Sequence, residues 1–197
     1  MWRVRWEDSV ANGISYHNVG LTMNFTRFWR ALPRTLEKID AGIELMNKIY
    51  FFSGDRFWIL HDNSHLAWPC PHDGLNLTKI GLPGDVKQVD TIFQWSGNKE
   101  VYLMSGYQYW KFDAEEGDCG QVIGEPDYPR LIMDGWKGAR MPVQEVFSGL
   151  NGETLFIKDK TIYEFSTYQS HIIARNPVPT RMPAWGCPGI DATTLQP

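Results

Sequence analysis

The segment from residue 61 to residue 73 is the part of the sequence whose residue types come closest to metal chemistry. It reads HDNSHLAWPCPHD, with His61 and His65 four residues apart and Cys70 and His72 close behind. An α-helix would be needed to bring the first two imidazoles onto one face. The segment instead contains asparagine, serine and two prolines, which favour turns. We therefore expect an exposed loop between strands, and keep an unrecognised metal site around His61 as an alternative.

No catalytic motif accompanies these histidines. A metallopeptidase helix requires the pattern H-E-x-x-H, in which two imidazoles bind zinc and the glutamate acts as a base, and the sequence lacks this pattern. Nothing resembles a nucleophile elbow, a phosphate-binding loop or a dinucleotide fingerprint. The sequence therefore predicts that this chain does not itself cleave peptides.

The overall charge gives no reason to expect nucleic acid or an anionic membrane as a partner. The chain has 19 basic and 23 acidic side chains and a net charge of −4. No apolar stretch approaches the roughly 20 residues that span a bilayer. The first residues, MWRVRWEDSV, lack the apolar region of a signal peptide. We expect either a cytosolic protein or a piece of a longer one.

The cysteines and the glycosylation sequons carry limited information. Three cysteines, Cys70, Cys119 and Cys187, are too few for a disulfide scaffold, and no two of them have the C-x-x-C spacing of a zinc or redox site. Their odd number leaves one sulfur without a partner in the chain. Asn24 and Asn76 begin N-x-T sequons, which predict glycosylation if the chain is secreted.

An aromatic hairpin pattern occurs three times in the chain. The segments IYFFSGDRFWIL (49–60), VYLMSGYQYWKF (101–112) and, more loosely, TLFIKDKTIYEF (154–165) each have two apolar runs around a short polar break. Such a pattern predicts two antiparallel strands joined by a tight turn, because glycine tolerates positive φ.

The three hairpins share a longer frame. Each follows a first-strand segment, KIDAGIE, QVDTIFQ or PVQEVFS, in which Asp40, Asp90 and Gln144 stand 50 and 54 residues apart. Short helical or turn segments at 28–33, 77–83 and 131–142 close the units. This order predicts the blades of a β-propeller, small sheets that bury both faces only by stacking. Residues 1–38 contain only the second half of a unit, with a third strand expected at residues 2–4.

We therefore expect an all-β, four-bladed propeller whose first blade is incomplete. The predicted boundaries are 1–38 for the partial first blade, 39–87, 88–141 and 142–187 for blades two to four, and 188–197 for a tail. The hairpin aromatics should form the core between blades, namely Phe51, Phe57, Trp58, Tyr109, Trp110 and Tyr163.

The pattern resembles the hemopexin-like domain at the C-terminal end of matrix metalloproteinases, which is a four-bladed propeller. The resemblance rests on IDAGIE, IYFFSGDRFW, LTKIGLP, VDTIFQW, VYLMSGYQYWKFD, DYPRLIMDGW and the terminal WGCPG, and covers roughly residues 28 to 190. The chain departs from the family in three ways. The first blade lacks its inner strands and its cysteine, Gln144-Glu145 stands where Asp-Ala is usual, and Cys70 and Cys119 are extra. The short first blade indicates a fragment of a longer gene product.

The resemblance implies a channel cation and a changed disulfide pattern. Backbone carbonyls of Asp40, Asp90 and Gln144 would converge on the propeller axis and bind a hard cation such as Ca²⁺. Cys187 would lack its family partner in the first blade. The two extra cysteines, in comparable outer loops of neighbouring blades, are candidates for a disulfide with each other.

The function implied is that of a non-catalytic exosite domain of a secreted or cell-surface matrix metalloproteinase. Its partners would be extracellular matrix proteins, pro-enzyme partners or metalloproteinase inhibitors, and any catalytic zinc would belong to a missing N-terminal part. The alternative from another class is a free-standing hemopexin-type adhesion or haem-carrying protein. Haem transport would need well-placed imidazoles, and the five histidines show no clear pairing.

Local charge suggests where partners bind. Residues 113–127 carry six acidic residues and no basic ones, which predicts an acidic outer loop on blade three. Basic residues cluster instead in blade four and in the first-blade remnant, which are neighbours in a closed ring. We expect Arg30, Lys158 and Lys160 to contribute to a basic flank that binds sulfated glycosaminoglycan. Such contacts are screened within about 8 Å at physiological salt.

Overall fold

The computed structural model describes residues 4–7, 15–18, 25–62, 65–66, 70–112, 127–148, 152–159, 161–166 and 170–173. These residues form fourteen strands and three short helical segments. The strands are β1 Val4–Glu7, β2 Ser15–Asn18, β3 Ala41–Leu45, β4 Lys48–Ser53, β5 Arg56–Leu60, β6 Leu75–Asn76, β7 Thr91–Gln94, β8 Val101–Ser105, β9 Gln108–Phe112, β10 Arg130–Leu131, β11 Glu145–Ser148, β12 Thr154–Lys158, β13 Thr161–Ser166 and β14 His171–Ile173. The helical segments are α1 Phe25–Phe28, a 3-10 helix Leu77–Ile80 and α2 Ile132–Gly135.

The strands form three four-stranded antiparallel sheets and one separate hairpin. Sheet two has the order β3-β4-β5-β6, sheet three the order β7-β8-β9-β10 and sheet four the order β11-β12-β13-β14, while β1 pairs with β2. All three predicted hairpins are confirmed as β4-β5, β8-β9 and β12-β13. The N-terminal region differs from expectation because it contributes two paired strands, whereas one strand was predicted at residues 2–4.

Glycine sets the turns of the first two hairpins. The registers Ser53↔Arg56 and Ser105↔Gln108 leave two-residue loops, whose first residues Gly54 and Gly106 have φ values of 55° and 59°. Positive φ at that position only is the pattern of a type II′ turn, whose twist matches that of the strands. The sequence prediction of tight glycine turns is therefore confirmed for these two hairpins.

Aromatic side chains fill the spaces between neighbouring sheets. One cluster joins sheets two and three and includes Phe52, Phe57 and Trp110, and a second joins sheets three and four and includes Phe93 and Phe156. The six hairpin aromatics predicted as core are buried, except that Phe51 is only partly buried. Each fully buried aromatic or aliphatic side chain contributes about 1.5 to 3 kcal/mol, so these clusters stabilise the packing of each sheet against its neighbour.

Trp136 lies at the centre of the second cluster. Its ring packs within 6.2 Å of six aromatic rings from sheets three and four, those of Phe93, Trp95, Tyr102, Tyr109, Phe156 and Phe165. The neighbouring Gly135 admits this packing, because a Cβ there would collide with the Tyr109 hydroxyl oxygen. Helix α2 thus positions one large ring that links two sheets.

Candidate functional site

The side chains of Asp40 and Asp90 are bound to hairpin turns. The Gly54 N–H donates to Asp40 Oδ2 at 2.7 Å, and the Gly106 N–H donates to Asp90 Oδ2 at 2.7 Å. The other oxygen of Asp40 meets the Lys38 ammonium at 2.8 Å. Each carboxylate therefore ties the residue before an inner strand to the turn of the next hairpin, a role that the sequence pattern had not revealed.

Gln144 also binds the turn of the next hairpin, in sheet four, but through an amide side chain. Its Oε1 accepts from the Asp159 N–H at 2.9 Å, and its Nε2 donates to Asp159 Oδ1 at 3.3 Å. Asp159 occupies the turn position that glycine holds in the other sheets and has a φ of 48°. The substitution of Gln144 for aspartate is thus matched by a change in the turn it binds. The signal in the sequence was the similar spacing of the bonded positions, which are 14, 16 and 15 residues apart in sheets two, three and four.

The predicted cation ligands are the main-chain oxygens of these same three residues. Among the described residues, no hydrogen bond ends on the carbonyl oxygens of Asp40, Asp90 or Gln144, which fits a role for them as hard oxygen ligands. No group of three or more His, Cys, Asp or Glu side chains in the described part of the chain is placed to hold a metal. The Ca²⁺ site therefore stays a prediction about backbone oxygen.

A cavity of about 500 Å³ lies between the inner strands of the three sheets. Strands β3, β7 and β11 line most of it, and the loops after β7 and β11 complete it. Its charged lining residues are Glu44, Lys99 and Glu145, and its polar ones include Gln94 and Ser148. The cavity therefore offers water-facing oxygen and ammonium groups at the place where the sheets meet.

A buried threonine links sheets three and four at the wall of this cavity. The Thr91 hydroxyl donates to Glu145 Oε1 at 2.7 Å and accepts from the Val146 N–H at 3.1 Å. Ser148 Oγ adds a bond to the Gln94 carbonyl oxygen at 2.6 Å. Glu145, the second residue of the unusual Gln144-Glu145 pair, therefore serves as the acceptor of an inter-sheet bond.

The pKa of Glu145 lies above its ordinary value. The main cause is desolvation, because protein atoms crowd the carboxylate even though the residue as a whole remains exposed to the cavity. The hydrogen bonds from Thr91 and from the Val146 N–H act in the opposite direction but do not cancel it. The folded chain therefore holds a proton on this carboxylate more readily than the unfolded chain does.

The histidine segment forms an exposed turn. The His61 N–H donates to the His65 carbonyl oxygen at 3.0 Å, and His65 Nδ1 lies 3.0 Å from both carboxylate oxygens of Asp62. His61, His65 and His72 are all exposed. The prediction of an exposed loop is confirmed for the described residues of this segment, and these residues form no helix that would place His61 and His65 on one face.

The residues predicted to bind glycosaminoglycan differ in their exposure. Arg30 is exposed, whereas the Lys158 side chain is only 17% exposed and its ammonium lies 3.7 Å from Asp159. Lys160 lies outside the described residues. Arg30 is therefore the better placed of the two described cations for a large anionic partner.

The structure describes only some of the residues predicted to be glycosylated or to form disulfides. Asn76 is exposed, and its Oδ1 accepts from the Thr78 N–H at 3.1 Å and from the Thr78 hydroxyl at 2.9 Å, which caps the 3-10 helix. Cys70 is disulfide-bonded. Asn24, Cys119 and Cys187 lie outside the described residues, so the pairing of Cys70 with Cys119 stays a prediction.

Comparison with curated proteins supports the family indicated by the sequence. The family model described as Hemopexin matches residues 39–68 and 89–138. The chain is 34% identical over 151 residues to matrix metalloproteinase-2 of Drosophila melanogaster, covering 75% of this chain and 18% of that protein. It is 27% identical over 155 residues to stromelysin-1 of Mus musculus, covering 76% of this chain and 30% of that protein. The chain thus spans less than a third of the length of these relatives.

Solved structures share the fold at low sequence identity. A hemopexin fold protein from cow pea matches with a TM-score of 0.59 and 18% identity, covering 91% of this chain and 85% of that chain. A seed albumin from Lathyrus sativus matches with a TM-score of 0.59 and 16% identity, covering 82% and 75%. At such identities the likeness concerns the all-β fold alone.

Proposed function

Because this chain belongs to the hemopexin-like domains of the kind found in matrix metalloproteinases, we propose that it acts as a non-catalytic interaction module of such a proteinase. Its partners are extracellular matrix macromolecules or protein inhibitors, which it holds as an exosite. The proposal rests on the similarity of the chain to metalloproteinases over three quarters of its length. The family model, which matches sheets two and three, agrees with it.

We propose further that the three four-stranded sheets are blades of a four-bladed propeller whose first blade is incomplete in this chain. The inner strands β3, β7 and β11 line one cavity, as expected of strands that run beside a propeller axis. The carbonyl oxygens of Asp40, Asp90 and Gln144 would hold a Ca²⁺ ion, which would connect the three sheets through their first residues. The side chains of the same residues fix those backbone positions by binding the hairpin turns.

An extracellular location is part of the proposal. The disulfide bond of Cys70 favours an oxidising compartment, where such bonds persist. The exposed sequon asparagine Asn76 is compatible with passage through a secretory pathway. In the described part of the chain, no helix is both long and apolar enough to cross a membrane.

The test uses the purified chain on surfaces coated with fibrillar collagen, fibronectin or a metalloproteinase inhibitor. We expect saturable retention on at least one of them and no cleavage of a generic metalloproteinase peptide with zinc and calcium present. Retention on none of these surfaces would refute the exosite function. Peptide cleavage abolished by a His61→Ala or His65→Ala substitution would instead support the alternative of a catalytic metal site.

Binding of sulfated glycosaminoglycan is a separate element of the proposal. It rests on exposed basic residues such as Arg30, so we expect Arg30→Ala to elute from heparin at lower salt than the unmodified chain. Lys158→Ala is the matched control, because that side chain is mostly covered and faces Asp159. If the unmodified chain and Arg30→Ala elute at the same salt concentration, Arg30 does not belong to the proposed basic flank.

A further inference from the structure

The outer end of sheet three exposes three large apolar side chains. Tyr107 is 66% exposed, Leu131 is 51% exposed and Met133 is 66% exposed. They are neighbours, because the Ile132 N–H donates to the Tyr107 carbonyl oxygen at 2.9 Å and Leu131 stands opposite Gln108 in the strand register. We call these three residues the sheet-three patch.

Sheet two provides an internal control for this patch. Its backbone repeats the same arrangement, since the Leu77 N–H donates to the Asp55 carbonyl oxygen at 2.9 Å and Asn76 stands opposite Arg56. The residues that correspond to Tyr107, Leu131 and Met133 are therefore Asp55, Asn76 and Thr78. Equivalent backbone thus carries three polar side chains in sheet two and three apolar ones in sheet three.

The polar side chains of sheet two stabilise the local fold. Asn76 caps the 3-10 helix through the Thr78 N–H and donates from Nδ2 to Asp55 Oδ2 at 3.1 Å. Leu131 holds the same cap position, with φ and ψ of −72° and 134° against −71° and 145° for Asn76, but makes no side-chain cap bond. Exposed apolar groups and a missing cap are both unfavourable for the isolated chain. Local stability therefore does not explain the residues of the patch.

Charge indicates what kind of partner covers the patch. Asp127 and Asp134 flank residues 128 to 133 in the described structure, and the only basic residue among these six is Arg130. The single base, Arg130, lies 3.6 Å from the Asp127 carboxylate and 4.8 Å over the Tyr128 ring. Asp127 and Asp134 are both exposed next to the patch. A second copy of this chain would bring like charges together, so it fits poorly, whereas a basic partner is attracted.

We infer that the sheet-three patch docks a protein segment that presents apolar side chains among lysines and arginines. The inference rests on the proposed role as an interaction module and adds to it one surface and one partner chemistry. The apolar residues supply the contact that excludes water, and the acidic surroundings supply attraction and selectivity.

The test exchanges the patch for its sheet-two counterpart. The variant Tyr107→Asp/Leu131→Asn/Met133→Thr introduces a set of residues that the same backbone already accommodates, so we expect an unfolding temperature no lower than that of the unmodified chain. The probe is a short fluorescent peptide of alternating leucine, phenylalanine, lysine and arginine. Two control peptides replace either the apolar residues by serine or the basic residues by glutamate.

We expect the unmodified chain to bind the basic apolar peptide best, and the exchange variant to bind it more than about tenfold more weakly. This loss would occur although the variant gains a negative charge, which separates apolar contact from simple attraction. The variant Asp127→Asn/Asp134→Asn should weaken binding of the basic peptide while the patch stays intact. A single Tyr107→Ser variant provides the same comparison if the triple exchange does not fold.

Equal binding by the unmodified chain and the exchange variant would overturn the inference, as would a lack of preference for the basic apolar peptide. Dimerisation of the unmodified chain that the exchange abolishes would also overturn it, because the occupant would then be a second copy. Unchanged retention of the exchange variant on collagen, fibronectin or inhibitor would refute the patch and leave the proposed function standing. Failure of every macromolecule to bind would refute the proposed function instead.

Discussion

Replacing Thr91 by valine removes the inter-sheet link with little change in side-chain shape. The substitution deletes only the hydroxyl that donates to Glu145 and accepts from the Val146 N–H. Thr91 is 0% exposed, so water cannot replace these bonds without opening the sheets. The variant therefore tests whether sheets three and four are held together at the cavity wall as well as by their aromatic core.

The expected loss is about 2 kcal/mol. An unpaired buried donor costs about 1 to 3 kcal/mol, and a hydrogen bond to a charged group contributes about 1.5 to 3 kcal/mol. Two effects reduce the loss: the new methyl group contributes about 0.8 kcal/mol, and the Val146 N–H keeps a longer bond to Glu145 Oε1 at 3.3 Å. For a chain of this size, 1 kcal/mol lowers the unfolding temperature by about 2 to 4 °C. We therefore expect Thr91→Val to lower it by about 4 to 8 °C.

Thermal unfolding followed by circular dichroism at pH 7 measures this difference. The matched control is Thr154→Val, because Thr154 is also a buried strand threonine, 1% exposed, but its hydroxyl has only a marginal contact of 3.5 Å with Ser96 Oγ. We expect the control to unfold within about 1 °C of the unmodified chain, since its hydroxyl contributes little. Equal effects of the two substitutions would refute the reasoning from the hydrogen bonds.

Three further outcomes follow from the same geometry. Glu145→Gln should raise the unfolding temperature at pH 7, and this gain should shrink as pH falls toward the ordinary pKa of glutamate. The reason is that a carboxyl whose pKa is raised in the folded state stabilises the fold at low pH, and this stabilisation is lost as pH rises through the raised pKa. A gain that is independent of pH would contradict this. Gln144→Asp alone should destabilise sheet four by about 1 kcal/mol, and adding Asp159→Gly should restore stability because the pair then matches the other two sheets; additive effects in a double-mutant cycle would disprove the coupling. Peptide mapping without reduction should recover Cys70 linked to Cys119, and a link from Cys70 to any other cysteine would overturn that pairing.

The sequence alone predicted the structural features that recur in each of the three repeats. Apolar runs broken by Ser-Gly at residues 53–54 and 105–106 predicted both hairpins, because only glycine enters those turns without strain. Five of the six aromatic residues predicted as core are buried and Phe51 is partly buried, because a small sheet must cover both faces. Periodicity in the chain thus translated directly into strands and packing.

Side-chain partners were harder to predict because they depend on register between distant residues. Asp40 and Asp90 looked like the beginnings of strands, and their bonds to Gly54 and Gly106 became visible only when the hairpin was folded back onto the inner strand. The role of Glu145 required knowledge of which residue of the neighbouring sheet faces it, and that residue, Thr91, is 54 positions away. No local pattern in the sequence encodes such a pairing.

The triple repeat also gives a physical criterion for distinguishing structural from functional residues. Gln144 stands where the other two sheets have aspartate, and the turn residue that it binds differs as well, so the hydrogen bond to the turn is kept. Where Leu131 replaces the capping asparagine of sheet two, nothing in the described structure restores the lost bond. A compensated difference between repeats therefore indicates a structural role, and an uncompensated one on an exposed surface marks a position to test for a role in binding. By that criterion the outer end of sheet three is the surface where mutagenesis should separate binding from stability.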